Sequence, residues 1–373
     1  MGLMEQIKET EAEIARTAKK AENNAHLGRL KARLAKYKTE MVDGSRNTGM
    51  GGITDKDFEV SKTGDARVAM IGFPSVGKSS LLSKLTSTES EVAAHEFTTL
   101  TAIPGRINYQ GANIQLIDLP GIIQGAAQGK GRGKNVIQVA RNADMVLMML
   151  DASKGDSHRT VLENELEQCG IRLNKAPANI DFVRKKTGGI KWTATVKGGN
   201  AALTNGLDEK GCKAILQEYK IHNCELIIKE DAKPEELIDI IEGNRKYLPC
   251  LYCYNKVDCL CLEELAAFAM RPFSLVISIH WDLNLDLLLA KTWEYLNLLR
   301  VYTKRRGQKP DFEEPVIMRA GSTVEDVCKG VHKDLVDQFK YSSVWGTSAK
   351  HVPQRVGLGH FLHDEDVIQI MKK

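Results

Sequence analysis

Short apolar runs alternate with helix-like stretches through the middle of the chain. The runs cover residues 67–71, 114–117, 145–150 and 250–254, and residues 79–85, after the first run, have helical character. Pro249 precedes the last run, at a strand entry where the missing N–H of proline is tolerated. Strands that alternate with helices predict an α/β fold built on a mostly parallel sheet.

The first part of the chain has a different pattern. From residue 3 to about 42 it lacks proline, and Leu27, Leu30 and Leu34 are spaced as on one face of a helix. Two asparagines at 23 and 24 mark a break, so we expect a pair of helices. Residues 44–52 are rich in glycine and polar residues, which is typical of a flexible linker.

Two further regions depart from the alternating pattern. Between about 170 and 245 the chain has its own strand-like run at 224–229 and helix-like runs at 212–219 and 234–242, which predicts a small inserted α+β domain. After about residue 312 come an apolar run, a helix and two strands, at 315–318, 324–339, 341–345 and 366–370. This β-α-β-β order suits a small ubiquitin-like fold.

Composition and charge narrow the class of protein. The 373 residues are 42% hydrophobic and 27% charged, which is ordinary for a globular chain. No apolar run approaches the roughly 18 residues that span a bilayer, and the start lacks a basic-then-apolar signal pattern, so we expect a cytoplasmic protein. The net charge is only +4. Two basic stretches indicate either solvated or packed helix faces or contact with RNA; they contain Arg29, Lys31, Arg33, Lys36, Lys38 and Lys304, Arg305, Arg306.

Cysteines are present in a pattern that allows two interpretations. Cys250 and Cys253 form a C-x-x-C pair, followed by Cys259 and Cys261. Such spacing occurs in zinc sites, but the first pair falls inside an apolar, strand-like run. We favour reduced thiols packed in the core.

A glycine-rich motif lies between the first strand and the following helix. Residues 72–79 match G-x-x-x-x-G-K-[ST], with Lys78 and Ser79 in the last two positions. In this context the loop amides surround phosphate oxygens, the lysine neutralises the β- and γ-phosphates, and the serine hydroxyl ligates Mg²⁺. A chance glycine-rich turn is the alternative, and the strand–loop–helix order disfavours it. The predicted nucleotide ligands here are Gly72, Pro74, Ser75, Val76, Gly77, Lys78, Ser79 and Ser80.

A second group of candidates surrounds the γ-phosphate. Asp118 and Gly121 belong to a D-x-x-G motif at the end of the second strand, where the carboxylate reaches Mg²⁺ through water and the glycine N–H contacts the γ-phosphate. Thr98 and Thr99 precede that strand, and we favour Thr99 as the residue that closes over Mg²⁺; a plain loop threonine is the alternative. The predicted catalytic residues are Lys78, Thr99 and Gly121, and the predicted metal ligands are Ser79 and Thr99.

The base is expected to be guanine. An N-K-x-D motif, with Asn255, Lys256 and Asp258, directly follows the apolar run at 250–254. An ionised Asp258 accepts hydrogen bonds from guanine N1–H and the 2-amino group, whereas adenine offers no such donor pair, so an ATP-driven enzyme is disfavoured. Ser278 and Ile279 follow another apolar run, where a backbone N–H is expected to contact guanine O6.

The residue that follows the D-x-x-G motif affects the expected rate of hydrolysis. Ile122 follows Gly121, at the position where Ras-like enzymes carry a glutamine that orients the attacking water. Isoleucine cannot orient water, so we expect slow intrinsic hydrolysis that depends on another group, a cation or a partner.

Together these motifs resemble the developmentally regulated GTP-binding proteins (the DRG family), within the Obg-like GTPases. The resemblance covers nearly the whole chain, and the inserted region is more similar to the first of the two eukaryotic paralogues, at 218–223 and 239–245. The stretches that carry the family resemblance are 26–36, 62–66, 72–79, 96–100, 118–123, 129–133, 170–174, 301–304 and 364–370.

The resemblance implies a domain order. It consists of a helical hairpin, a linker, a P-loop GTPase (G) domain in two parts, an inserted domain like one of a small-subunit ribosomal protein, and a TGS domain of the ubiquitin-like β-grasp kind. The predicted bounds are 1–43 for the hairpin, 44–60 for the linker, 61–170 and 246–305 for the G domain, 171–245 for the insertion and 312–373 for the TGS domain.

The resemblance also implies a function. It points to a Mg²⁺-dependent GTPase that binds GTP and GDP, associates with ribosomes, ribosomal RNA and translation, and is stabilised by a dedicated regulatory protein; neither membrane nor DNA is an expected partner. Family members are stimulated by potassium, although Ser75 stands where related cation-dependent GTPases have Asn. His95 and Ile279 also depart from the family's usual Tyr and Ala. A GTP-binding scaffold with incidental hydrolysis is the alternative.

Overall fold

The computed structural model describes residues 3–17, 24–43, 64–86, 103–119, 140, 142–195 and 207–372. Its helices are α1 (Leu3–Thr17), α2 (Asn24–Asp43), α3 (Lys78–Leu85), α4 (Ser157–Gln168), α5 (Glu209–Glu218), α6 (Pro234–Glu242), α7 (Leu262–Ala269), α8 (Leu285–Leu296) and α9 (Val324–Val331). Its strands are β1 (Ala66–Ile71), β2 (Ile103–Tyr109), β3 (Ala112–Asp118), β4 (Met145–Asp151), β5 (Ile171–Leu173), β6 (Ile180–Arg184), β7 (Ile190–Ala194), β8 (Cys224–Ile228), β9 (Lys246–Leu248), β10 (Cys250–Asn255), β11 (Ser274–Val276), β12 (Leu298–Thr303), β13 (Val316–Arg319), β14 (Phe339–Trp345), β15 (Gln354–Val356) and β16 (Asp366–Lys372).

The chain divides into two compact units, each built from separate stretches. The first unit combines Met1–Ile53, Ile123–Ile137 and Thr160–Leu248, and the second combines Thr54–Ile122, Gln138–Arg159 and Pro249–Lys373. The second unit contains all the predicted nucleotide-site residues that the structure describes. In the part of the chain that the structure describes, no helix is both long and apolar enough to cross a bilayer.

A six-stranded sheet forms the centre of the second unit, in the order β11-β10-β4-β1-β3-β2. Neighbouring strands from β11 to β3 run parallel, and only β2 is antiparallel to its neighbour β3. The apolar runs predicted as strands are buried throughout β1, β4 and β10, because parallel strands are covered on both faces. This confirms the predicted α/β sheet, while β2, which has a less regular apolar pattern, was not predicted.

Two of the cysteines lie in this core. Cys250 and Cys253 are both buried in β10, as the core-thiol interpretation requires, and burial raises the pKa of the Cys253 thiol. Cys259 and Cys261 lie beyond the strand and are exposed. The described residues include no cluster of three His, Cys, Asp or Glu side chains that is suited to a metal ion.

A second sheet of the same unit has the order β13-β12-β16-β14-β15 and packs on α9. Its strand β12 lies upstream of residue 312, in the stretch that the sequence assigned to the G domain. The predicted helix over 324–339 was wrong in length, because α9 ends at Val331 and His332 is extended. The helical spacing continues through Leu335 and Phe339, but these residues reach the same core from a 3₁₀ turn and from β14.

The first unit contains both N-terminal helices and a small three-stranded sheet, β6-β8-β7. A parallel pair, β5 with β9, brings together the two ends of the inserted region. Helix α2 packs closely on α5, where a Cβ added to Gly28 would lie 3.3 Å from the Ile215 side chain and Ala32 is fully buried. Small side chains, as well as the predicted leucines, therefore set this helix contact.

Basic residues of α2 are largely used inside this unit. Lys31 forms an ion pair with Glu235 at 2.7 Å, and Lys38 forms one with Glu11 at 3.0 Å. Lys36 donates a hydrogen bond to the backbone carbonyl of Glu218. Of the two interpretations of the first basic stretch, these contacts support a packed helix face.

Candidate nucleotide-binding site

The predicted site residues collect at one edge of the central sheet. Gly72 follows β1, Asp118 ends β3, Asn255 ends β10, and Ser278 lies just beyond β11. Asp151, which ends β4, was not predicted but lies at the same edge. Because these strands are parallel, their carboxyl ends face the same side, which is where ligands bind in open α/β sheets.

The phosphate loop, residues 72–79, has a backbone that depends on its glycines. A Cβ on Gly72 would lie 2.5 Å from the Met149 carbonyl oxygen, and a Cβ on Gly77 would lie 2.5 Å from Asn255 Nδ2. Gly77 has a φ of +102° and leads directly into α3, whose first N–H groups therefore open toward the loop. Ser75 also has a positive φ, of 63°.

The side chains of the loop divide into buried and exposed sets. Val76 is buried in the core, whereas the site-facing candidates Pro74, Ser75, Ser79 and Ser80 are exposed. The exposed set is available to a ligand, and the buried valine contributes its backbone to the loop.

Lys78 is buried and holds the loop closed. Its Nζ donates hydrogen bonds to the carbonyl oxygens of Gly72, at 3.0 Å, and Phe73, at 3.2 Å. Burial lowers the pKa of Lys78, and the nearby Asp118 carboxylate opposes this shift. An ammonium group has three N–H donors, so two shape the loop and the third remains for a phosphate oxygen.

Ser79 and Asp118 form the candidate metal centre. The Ser79 hydroxyl donates to Asp118 Oδ2 at 2.9 Å. Asp118 is only 7% exposed, and its Oδ1 is buried without a hydrogen-bond partner among the described residues. An unpaired buried carboxylate oxygen costs free energy unless a ligand satisfies it, and hydroxyl and carboxylate oxygens suit Mg²⁺. These residues therefore fit a magnesium ion; Thr98, Thr99, Gly121, Ile122 and His95 lie outside the described residues.

Asn255 joins the two halves of the candidate site. Its Nδ2 donates to the Val76 carbonyl oxygen at 2.9 Å, and its Oδ1 accepts the Ile279 N–H at 3.2 Å. The residue is 4% exposed, so these bonds form away from solvent. We predicted Asn255 as a nucleotide ligand, and the structure assigns its amide to backbone groups of the loops on either side.

Ser278 orients the predicted base-reading carboxylate. The Ser278 hydroxyl donates to Asp258 Oδ1 at 2.8 Å, and this bond is the main reason that the pKa of Asp258 is lowered. An ionised Asp258 is the form that accepts from guanine N1–H and the 2-amino group. The role of the Ser278 hydroxyl was missed, because a bond between residues 20 apart leaves no local signal in the sequence.

Lys256 is held by the unpredicted carboxylate of Asp151. Its Nζ lies 2.8 Å from Asp151 Oδ2, while Asp151 Oδ1 accepts from Ser153. Burial would raise the pKa of Asp151, but the hydrogen bonds from Lys256 and Ser153 outweigh it and lower the pKa. The sequence signal that could have identified Asp151 is its position as an acidic residue directly after the apolar run at 145–150.

The loop at 278–283, which we call the base loop, is also attached to α3. Lys84 Nζ donates to the Ile279 carbonyl oxygen at 2.8 Å and forms an ion pair with Asp282. The Ile279 side chain packs on the central core and lies 3.1 Å from the position of a Cβ on Gly77. The extra bulk of isoleucine is thus accommodated against the phosphate loop.

Comparisons with known proteins agree with this geometry. The profile of the family described as "50S ribosome-binding GTPase" matches residues 67–185, that of the "C-terminal region of MMR_HSR1 domain" matches 187–298, and that of the "TGS domain" matches 299–372. Developmentally-regulated GTP-binding protein 2 of Homo sapiens is 57% identical over 373 residues, covering both chains completely. The predicted fold class, a P-loop GTPase domain with N-terminal helices and a C-terminal TGS domain, is confirmed.

Two relatives from Dictyostelium discoideum correct one expectation. The developmentally-regulated GTP-binding protein 2 homolog is 56% identical over 373 residues, and the protein 1 homolog is 52% identical over 375 residues; both cover this chain and the relative completely. The expected closer likeness to the first paralogue was therefore wrong. The short stretches that suggested it are too few to outweigh identity along the whole chain.

Proposed function

Because this chain belongs to the family of developmentally regulated GTP-binding proteins, we propose that it is a Mg²⁺-dependent GTPase switch that hydrolyses GTP slowly and acts in translation at the ribosome. Full-length identity of 57% to a member of that family and the match of a GTPase profile at 67–185 make the chain a GTP-binding GTPase. The metal dependence, the rate and the place of action are the proposed parts.

One observation carries the proposed chemistry. Asp118 Oδ1, which is buried and has no partner in the part of the chain that the structure describes, lies on the same carboxylate that accepts from Ser79, beside the phosphate loop. A carboxylate oxygen that the described residues leave unpaired is available to a ligand. Ser79, Asp118 and the sequence-assigned Thr99 would hold the ion, and Mg²⁺, when bound, neutralises charge on the β- and γ-phosphate oxygens.

Protein groups account for recognition and orientation of the substrate. Lys78 offers its remaining N–H to a phosphate oxygen, and the phosphate loop supplies backbone N–H groups at the start of α3. Asp258, whose carboxylate is oriented by the Ser278 hydroxyl, reads the guanine edge, and Gly121 reports the γ-phosphate. Ile122 leaves the attacking water without a Ras-type glutamine, so intrinsic hydrolysis is slow.

Potassium is proposed to accelerate this slow step. Ser75 stands at the position expected for an asparagine in cation-dependent relatives, and it is exposed, with a positive φ. A monovalent cation beside the phosphates would replace part of the charge that other GTPases receive from a protein side chain.

Two observations support action at the ribosome: the description of the matching family and the exposed arginines of the two basic stretches. The matching profile is named for proteins that bind the 50S ribosome. Within the two basic stretches, Arg29, Arg305 and Arg306 are exposed, unlike the paired lysines of α2, and are therefore available to ribosomal RNA. We also propose a regulatory partner protein and a cytoplasmic location, where ribosomes work.

Single-turnover hydrolysis tests this proposal. Purified protein loaded with GTP is followed with and without Mg²⁺, with potassium or sodium, and with or without ribosomes. We expect no hydrolysis without Mg²⁺, slow hydrolysis with Mg²⁺ alone, and at least tenfold acceleration by potassium or ribosomes. Lys78→Ala serves as the control for contaminating GTPases. A rate that no condition increases would instead support a GTP-binding scaffold whose hydrolysis is incidental.

A further inference from the structure

We propose that Lys84 is a positioning residue for guanine recognition, which fixes the base loop to the helix that begins at the phosphate loop. This inference rests on the proposed reading of guanine by Asp258. Nothing in the N-K-x-D or phosphate-loop motifs includes Lys84, which lies in the last turn of α3.

The base loop is a short, closed turn whose position needs an external support. Ser278 and Leu283 exchange two backbone hydrogen bonds, at 3.3 and 2.9 Å, so the turn moves as one piece. Trp281 at its tip is 65% exposed and provides little packing. Ser278 is fully buried and the Ile279 side chain packs on the core at the start of the turn, so the bonds to neighbouring elements add to this packing in setting the orientation of the turn.

Ile279 receives such bonds on both sides of its backbone. Its N–H donates to Asn255, and its carbonyl oxygen accepts from Lys84 at 2.8 Å. The Lys84 side chain is 35% exposed and also pairs with Asp282 of the same turn. A hydrogen bond from a charged donor is stronger than one between neutral groups, whereas an exposed ion pair contributes little. Of the two contacts that Lys84 makes with the turn, the carbonyl contact is accordingly the stronger support.

The position of Ile279 has a consequence for Asp258. Ser278 directly precedes Ile279, and its hydroxyl is the group that orients the Asp258 carboxylate. If Lys84 releases the turn, Ser278 moves with it and Asp258 loses its fixed orientation. Lys84 thus acts on the guanine edge through Ile279 and Ser278, without touching the nucleotide.

The test compares release of GDP and inosine diphosphate, which lacks the 2-amino group read by Asp258. For Lys84→Met we expect GDP release to accelerate about tenfold and inosine diphosphate release only about threefold, because the second ligand depends less on Asp258. Lys84→Arg keeps a charged donor and should restore most of the discrimination. Asp282→Asn leaves the carbonyl contact intact and should change GDP release only about twofold.

A matched control is Lys329→Met, which removes a lysine from the exposed pair with Glu325 on α9 and should leave both release rates unchanged. Wild-type discrimination retained in Lys84→Met would overturn the inference alone. Equal release of the two nucleotides by the wild-type protein would overturn base reading by Asp258, and the inference with it. Should Lys84→Met not fold, Lys84→Leu carries the same test, because it also removes the donor to the Ile279 carbonyl oxygen, and wild-type discrimination in that variant would overturn the proposal.

Discussion

Buried charged side chains differ in their hydrogen-bond partners between the two units of this chain. In the first unit, Asp239 is 5% exposed and accepts two bonds from Arg172, at 2.8 and 3.0 Å, and one from Arg245, at 3.2 Å. In the second, Lys78 donates only to neutral carbonyl oxygens, and Asp118 keeps one oxygen unpaired within the described residues. A buried charge whose hydrogen-bonding atoms all have protein partners stabilises the fold. A buried charge with an unused donor or acceptor is available to bind a ligand.

The largest effect is expected from Asp239→Ala. Removing this carboxylate leaves Arg172 without its buried partner and Arg245 with Glu242 alone, which costs about 3–5 kcal/mol. Urea unfolding of the full chain should show this loss in the free energy of unfolding, with GDP affinity unchanged in the folded protein. Asp181→Ala, which removes an exposed pair with Lys229 in the same unit, is the matched control and should cost less than about 1 kcal/mol. Equal losses for the two variants would remove the distinction between complete and exposed pairs.

Lys78→Ala should have the next largest effect, and on binding rather than folding. The loop loses the two bonds that close it, and the phosphates lose their cation, so GDP and GTP affinity should fall at least about 100-fold, or roughly 2.7 kcal/mol. Isothermal titration calorimetry measures this directly. Because burial lowers the pKa of this ammonium, its charge is held at a cost, and its removal should change the stability of the empty protein less than it changes the affinity. Retained micromolar affinity would contradict the phosphate-loop assignment.

Lys31→Gln should have the smallest effect. Its partner Glu235 is 44% exposed, and pairs of this kind contribute less than about 1 kcal/mol. Burial raises the pKa of Glu235, but the bond from Lys31 outweighs it and lowers the pKa. A lowered pKa contributes stability above the ordinary carboxyl range, and this contribution is lost as the pH falls through it. The melting temperatures at pH 7 and pH 3 should therefore differ less in the variant than in the wild type. An unchanged difference would mean that other groups cause the pH dependence.

Features whose signals are contiguous in the sequence could be predicted. The strands at 67–71, 145–150 and 250–254 and the phosphate loop were found because their signals are contiguous, and the structure bears them out. The edge strand β2 and the inner strand β12 were not found. The end of α9 was also missed, since Leu335 and Phe339 extend a helical spacing past the point where His332 becomes extended.

Functional contacts between distant residues were also missed. The bonds from Ser278 to Asp258 and from Lys84 to Ile279 join residues 20 and 195 apart, so no local pattern marks them. The basic stretch in α2 was left open for the same reason, because its acidic partners lie mostly in α5 and α6. Spacing identifies which side chains carry charge, and the fold decides which of those charges are already paired.

Reading of guanine by Asp258 is the claim on which the account depends, and Asp258→Asn tests it most directly. The amide presents a donor where the carboxylate accepts, so affinity for GTP should fall on the order of 100-fold, while affinity for xanthosine triphosphate, which offers an acceptor at that position, should rise above it. The competing affinities of the two nucleotides are measured on the same preparation. An unchanged preference for GTP over xanthosine triphosphate would contradict the account.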